Sequence, residues 1–148
     1  MAMTMSGEVQ LAAPREVVWA KLNDAEVLKL CIPGCEELNK TSDTEFNAVA
    51  TIKIGPVKAR FKGRVQLSDM DPPNGYKISG EGEGGVAGFA KGGATVALAD
   101  KDGGTLLSYD VEAQIGGKLA QLGQRLINGT AKKLADEFFA NFVKAVQG

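Results

Sequence analysis

The 148-residue chain contains no histidine and only two cysteines, Cys31 and Cys35. Without imidazole there is no Ser-His-Asp or Cys-His nucleophile site, no imidazole proton shuttle and no metal site built on histidine. Two cysteines alone do not complete a four-thiolate zinc centre. A disulfide between them would close only a small loop around Pro33-Gly34, so the expectation is two reduced, buried or half-buried thiols. Neither sign of charge is in excess: 17 basic residues face 18 acidic ones, for a net charge of −1. That balance argues against a free-standing nucleic-acid binder. No run approaches the ~18 apolar residues of a membrane span. The first residues, Met1 to Gly7, show neither a basic nor an apolar leader region, so the expected compartment is the cytoplasm. Asn128-Gly-Thr130 matches a glycosylation sequon, but without a secretory signal the match reads as accidental.

Aromatic residues are also scarce, at 6%, whereas glycine is plentiful, at 19 residues. A chain 44% hydrophobic and 24% charged is of ordinary globular composition, and its length suits one domain over 1–148. Met3 to Leu11 reads as a strand. Pro14 suits the first turn of a helix that carries Val17, Val18, Trp19 and Leu22. Asn23-Asp24 caps a second short helix, Ala25 to Leu30, which Pro33-Gly34 stops.

The period then changes from helical to two. Strands are expected over 35–41 and 45–54. Gly55-Pro56 turns the chain into the clearest strand, where Val57, Ala59, Phe61, Gly63, Val65 and Leu67 alternate with Lys58, Arg60, Lys62, Arg64 and Gln66. Asp71-Pro72-Pro73-Asn74-Gly75 is a turn, and Tyr76, Ile78 and Gly80 open another strand. Seven glycines fall within 80–93; strand resumes over 94–99, and a hairpin loop over 100–104 leads to a last strand through Leu107, Tyr109, Val111, Ala113 and Ile115. From Lys118 to about Val146 the spacing predicts one long helix, with Gly123 and Gly129 inside it.

Consecutive antiparallel strands make a curved sheet, and the long helix has only the concave face on which to bury its apolar stripe. Glycines supply the bends. Inward alanine and glycine leave the core incompletely filled, so a cavity is expected. The candidate pocket is Ile52, Phe61, Val65, Ile78, Phe89, Tyr109, Val111, Leu122, Leu126, Ile127 and Thr130, with Tyr109 and Thr130 as polar anchors. The Gly85–Gly93 segment, with Phe89 as its large apolar group, is a candidate gate. Lys58, Arg60, Lys62 and Arg64 form a basic row, read either as a solvated face or as a docking surface for an acidic partner or anionic headgroups. Gly80 to Gly85 fits GxGxxG, but no helix follows it and Glu81 and Glu83 would repel phosphate. No catalytic spacing of acid, base or nucleophile is present.

Several segments carry a resemblance: Ser6-Gly7, Ala13 to Trp19, Leu22-Asn23-Asp24, Cys31-Ile32-Pro33-Gly34-Cys35-Glu36, Ile54-Gly55-Pro56-Val57, Phe61-Lys62-Gly63, Gly103-Gly104-Thr105 and Gly116 to Gly123. Together they span essentially the whole chain, and in them it resembles the CoxG family of carbon monoxide dehydrogenase subunits, within the helix-grip (START/Bet v 1-like, SRPBCC) superfamily. The resemblance implies an α+β fold, a curved seven-stranded antiparallel sheet around a long C-terminal helix, with two short helices after the first strand and an internal hydrophobic cavity. It implies a non-enzymatic accessory protein that binds a hydrophobic small molecule, a quinone or lipid, beside a molybdenum hydroxylase of the carbon monoxide dehydrogenase type. No cofactor is expected beyond such a ligand. Some relatives carry a longer, membrane-contacting C-terminal extension; with Gly148 just after the long helix, membrane contact is expected to be peripheral at most. The residues set no oligomeric state, and a weak homodimer is compatible with them. Two other readings stay open: an assembly or maturation factor working through its outer surface, and a cyclase-like enzyme.

Overall fold

The computed structural model describes residues 1–147. β1 (Ala2–Leu11) leads into two short helices, α1 (Arg15–Leu22) and α2 (Ala25–Cys31). Six strands follow: β2 (Cys35–Ser42), β3 (Glu45–Ile54), β4 (Val57–Asp71), β5 (Gly75–Glu83), β6 (Phe89–Lys101) and β7 (Gly104–Gly116). They form one antiparallel sheet in the order β1-β7-β6-β5-β4-β3-β2. The last element, α3 (Gln124–Gln147), lies across its concave face and makes the seven-stranded sheet and C-terminal helix of a helix-grip fold.

Local chemistry explains the boundaries. Asp24 accepts hydrogen bonds from the backbone N–H groups of Glu26 (2.9 Å) and Val27 (3.4 Å), capping α2. Between α2 and β2, Gly34 has φ +73°, and a Cβ there would strike the carbonyl oxygen of Thr51. The Ile32-Pro33-Gly34-Cys35 turn is thus a place where only glycine fits. In β4 the alternation of buried and exposed residues holds to Leu67; a bulge with Asp69 at φ 49° then resets it so that Met70 again faces the core.

Two sequence expectations are corrected. The long helix does not begin at Lys118. Gly117–Leu122 form a 3-10 turn, and Gly117 (φ +75°) and Gly123 (φ +96°) take left-handed conformations that an α-helix excludes. Gly123 is therefore the joint before α3 and not a residue within it. With 24 residues, α3 is about 36 Å long. The glycine-rich stretch is also more regular than expected: a single 3-10 turn at Gly85–Ala87, after which β6 runs unbroken from Phe89. Glycine there permits close strand approach, since a Cβ on Gly92 would collide with the backbone of Glu112.

The core falls into two clusters. One joins Leu11, Val18, Leu22, Leu107, Phe142 and neighbours where α1 and α2 close the grip. The other joins Met3, Ile54, Ala59, Ala87, Leu119 and Ile127. The second lies beside the β3–β4 turn, the β5–β6 connection and the start of α3, here termed the open end. The β2–β3, β4–β5 and β6–β7 turns lie at the opposite, closed end.

Candidate functional site: an apolar chamber under the helix

The second cluster surrounds a chamber of about 240 Å3. Sheet period two supplies its walls, because every other residue of a strand faces inward. Met3 enters from β1, Ile52 and Ile54 from β3, and Phe61 from β4. Gly82 of β5, Ala90 of β6 and Ile115 of β7 complete the sheet side, and Leu119 closes one corner. The roof is the inner face of α3, where Ile127, Thr130, Ala131 and Leu134 recur at helical spacing. Small residues at Gly82, Ala90 and Ala131 leave the space unfilled. The Thr130 hydroxyl is the one polar side-chain group in the lining, and no charged residue contributes. Wider recesses of about 450 and 490 Å3 lie on the sheet, but Arg64, Glu81 and other charged side chains rim them. Those are solvated surface; the chamber has the apolar walls and sparse polar groups of a small-molecule site.

Of the residues singled out in the sequence, Ile52, Phe61, Ile127 and Thr130 line the chamber. Leu122, the last residue of the 3-10 turn, and Leu126, in the first turn of α3, lie together with Thr130 beside the chamber, and Val111 packs within the same cluster. Val65, Ile78 and Tyr109 sit against the closed-end cluster instead. The Tyr109 ring stacks on Phe139 with centroids 4.9 Å apart, and it covers Gly7 so closely that a Cβ there has no room. Phe89 points away from the chamber, 43% exposed, against Gly116. The pleat decides this: Phe89 and Ala90 are adjacent on β6, so only one of them faces inward. Met3, Ile54, Gly82, Ala90, Ile115, Leu119, Ala131 and Leu134 were not singled out. Ile54 and Ile115 carried the signal, since both fall on the inward face of their strands. Gly82 and Ala90 carried none, because small residues mark a cavity only once their neighbours are known.

The basic row of β4 is exposed on the outer face, but its arginines are paired. Arg60 Nε lies 3.1 Å from Glu36, which also accepts a 2.8 Å hydrogen bond from Thr51. The Thr51 and Arg60 hydrogen bonds hold the Glu36 carboxyl below its ordinary range. Arg64 lies 3.8 Å from Glu45 and 3.9 Å from Glu81. Lys58 and Lys62 form no ion pair within 4.0 Å among the described residues. Both cysteines are free thiols; Cys31 is buried and Cys35 half-buried, and desolvation pushes both pKa values up. Among the described residues no three carboxylates or thiols come together as a metal site, and no helix is long and apolar enough to cross a membrane.

Sheet and gripped helix, with an apolar chamber between them, make a fold of the START/Bet v 1-like, helix-grip type. A START superfamily protein from Mycobacterium smegmatis superposes with a TM-score of 0.73, at 13% identity over 97% of each chain. The Zhui aromatase/cyclase from a Streptomyces species superposes at 0.72, with 13% identity over 99% of this chain and 94% of that one. A conserved protein from Geobacillus kaustophilus is more similar, with a TM-score of 0.91 and 34% identity over 98% of this chain and 95% of that one. Residues 7–147 match the family of the carbon monoxide dehydrogenase subunit CoxG, and the chain belongs to that family. No curated protein matches it.

Proposed function

We propose that this protein is a non-enzymatic carrier that holds a neutral hydrophobic small molecule, a quinone or lipid, in the chamber beneath α3. The observation that carries the reading is the lining: apolar on every side, with one hydroxyl at Thr130. Binding by apolar burial, at roughly 25 cal/mol per Å2, needs no charged anchor. The Thr130 hydroxyl can donate to a ligand carbonyl, which suits a quinone oxygen. A cyclase would need an acid, base or nucleophile in contact with substrate, and the chamber walls present no carboxylate, thiol or amine. Membership of the CoxG family supports service to a molybdenum hydroxylase of the carbon monoxide dehydrogenase type, with the ligand as the molecule exchanged.

The test is extraction of natively expressed protein into organic solvent and mass spectrometry of the extract, followed by titration of the stripped protein with menadione. A stoichiometric quinone or lipid, and saturable menadione binding, are expected. An empty extract together with absent binding would move the weight to an assembly factor acting through its surface.

A further inference from the structure

The sheet has two edge strands, β1 and β2, and they differ in kind. β2 is blunted: its register with β3 shifts between Cys35 and Glu37 and again between Lys40 and Ser42. β1 carries neither a bulge nor a proline. Its ten residues pair with β7 without a shift, from Ala2 opposite Gln114 to Leu11 opposite Thr105.

The register fixes which way each backbone amide points. Met1 and Ile115 exchange two backbone hydrogen bonds, of 3.0 and 2.7 Å. Antiparallel pairs alternate between bonded and unbonded, so Met3, Met5, Gly7 and Val9 turn their N–H and C=O groups towards β7. Ala2, Thr4, Ser6 and Glu8 turn theirs away from the sheet. The Ala2 carbonyl accepts a 3.1 Å hydrogen bond from the Gln124 side chain of α3. The outward backbone groups of Thr4, Ser6 and Glu8, three donors and three acceptors, have no partner among the described residues, and all three residues are exposed.

α3 runs beside this edge and makes it one wall of a groove of about 410 Å3. The other wall is Asn128, Lys132 and Asp136, which recur every four residues on one face of the helix. Tyr109 lies between the walls, its ring held over Gly7, where a Cβ has no room. Lys132 and Asp136 are bonded to each other at 2.9 Å, so the helix wall asks no charge of an occupant. On the outer face of β1, by contrast, the Glu8 carboxylate has no ion pair within 4.0 Å among the described residues.

We propose that this groove binds an extended peptide segment of another protein, which joins the sheet as a further strand beside β1. The backbone of the segment pairs with the free groups of Thr4, Ser6 and Glu8. Its side chains alternate, uncharged ones towards α3 and a lysine or arginine against Glu8. A second copy of this chain suits the groove less well. Pairing β1 with β1 about a dyad normal to the sheet keeps both concave faces on one side and sets α3 against α3, whereas a peptide brings no helix of its own. Peptide binding here requires no ligand in the chamber.

Selection of phage-displayed random heptapeptides on the immobilised protein tests it, with Ser6→Pro as the counter-target. Proline at this outward-facing position removes one donor from the edge and leaves the β7 ladder whole. Circular dichroism and thermal melting confirm that the variant is folded. Peptides of alternating polarity are expected, and Ser6→Pro should weaken synthetic copies of them by on the order of tenfold. Methylating alternate peptide nitrogens gives two further probes: the set facing β1 should lose a similar factor, and the other should stay within about twofold. A selection that enriches no peptide overturns the proposal. So do peptides that bind Ser6→Pro equally, or that lose binding alike with either methylated set. Sedimentation velocity of the protein alone supplies the remaining arm: a dimer that Ser6→Pro dissociates would assign the edge to a second copy and overturn the peptide site.

Discussion

Filling the chamber from its sheet side should move stability and binding in opposite directions. Ala90 lies on β6 with its side chain in the chamber wall. Ala90→Leu adds three carbon atoms, which at close to the ~30 Å3 that a water occupies in the liquid removes roughly 80 Å3. That is about a third of the 240 Å3 chamber. Burial of apolar atoms in an existing void recovers about 24 cal/mol per Å3, so the empty protein should gain up to ~2 kcal/mol. For a domain of this size the gain corresponds to a rise in Tm of roughly 4–8 °C. A ligand that fits the wild-type chamber now meets an overpacked wall, at a cost of about 1–3 kcal/mol, or on the order of 5- to 150-fold in Kd. Differential scanning calorimetry of stripped protein and menadione titration read the two effects separately. A variant that loses stability yet binds menadione as before would refute the reasoning, because the chamber would then be neither void nor ligand site.

Two further outcomes follow from buried titratable groups. Burial pushes the Tyr76 phenol well above its ordinary range. The unfolded chain therefore loses this proton at a lower pH than the native one, so stability is full below pH ~10 and falls as pH rises beyond it. Urea midpoints at rising alkaline pH should show that fall, and Tyr76→Phe should flatten it; an unchanged slope would count against the burial argument. For the thiols, desolvation disfavours the thiolate at both Cys31 and Cys35. Native protein should react with iodoacetamide more slowly than a model thiol, Cys31 slowest because it is buried, with both reacting rapidly in urea. Fast native labelling of Cys31 would show that the α2–β2 junction opens readily.

The period of the hydrophobic pattern made the sheet legible. In β4 and β7 strict alternation fixed both the strands and the faces they present, and Pro14, Asp24 and Pro33-Gly34 marked both short helices. The start of α3 was not legible, because Leu119, Leu122 and Leu126 continue a helical spacing across a joint that Gly117 and Gly123 break with left-handed φ angles. The pocket was legible in part. Large inward residues such as Phe61 and Ile127 announce themselves, but a cavity is defined equally by what is missing, at Gly82, Ala90 and Ala131. Register also separates residues that look alike in sequence: Val65 and Ile78 lie inward, yet they fall nearer the closed end and pack into the other cluster. The basic row illustrates the same limit, because Glu36, Glu45 and Glu81 come from three other strands to meet its two arginines.

The unequal rooting of α3 has a mechanical consequence. Its last turns are anchored by Phe142, fully buried, and Val146, and Asn141 donates a 3.1 Å hydrogen bond to the carbonyl of Cys31. Its first turns hold only Ile127 as a buried residue, with the glycine joint at Gly123 immediately before them. The helix is thus held more firmly at its C-terminal end than at its start, where Gln124 donates a 3.1 Å hydrogen bond to the carbonyl of Ala2. Its less anchored half roofs the chamber, so a carrier of the proposed kind would admit its ligand by bending two or three turns, with no global unfolding. Amide hydrogen exchange should resolve this as a gradient of protection that rises from Ile127 towards Phe142, and uniform protection along the helix would show a rigid lid instead.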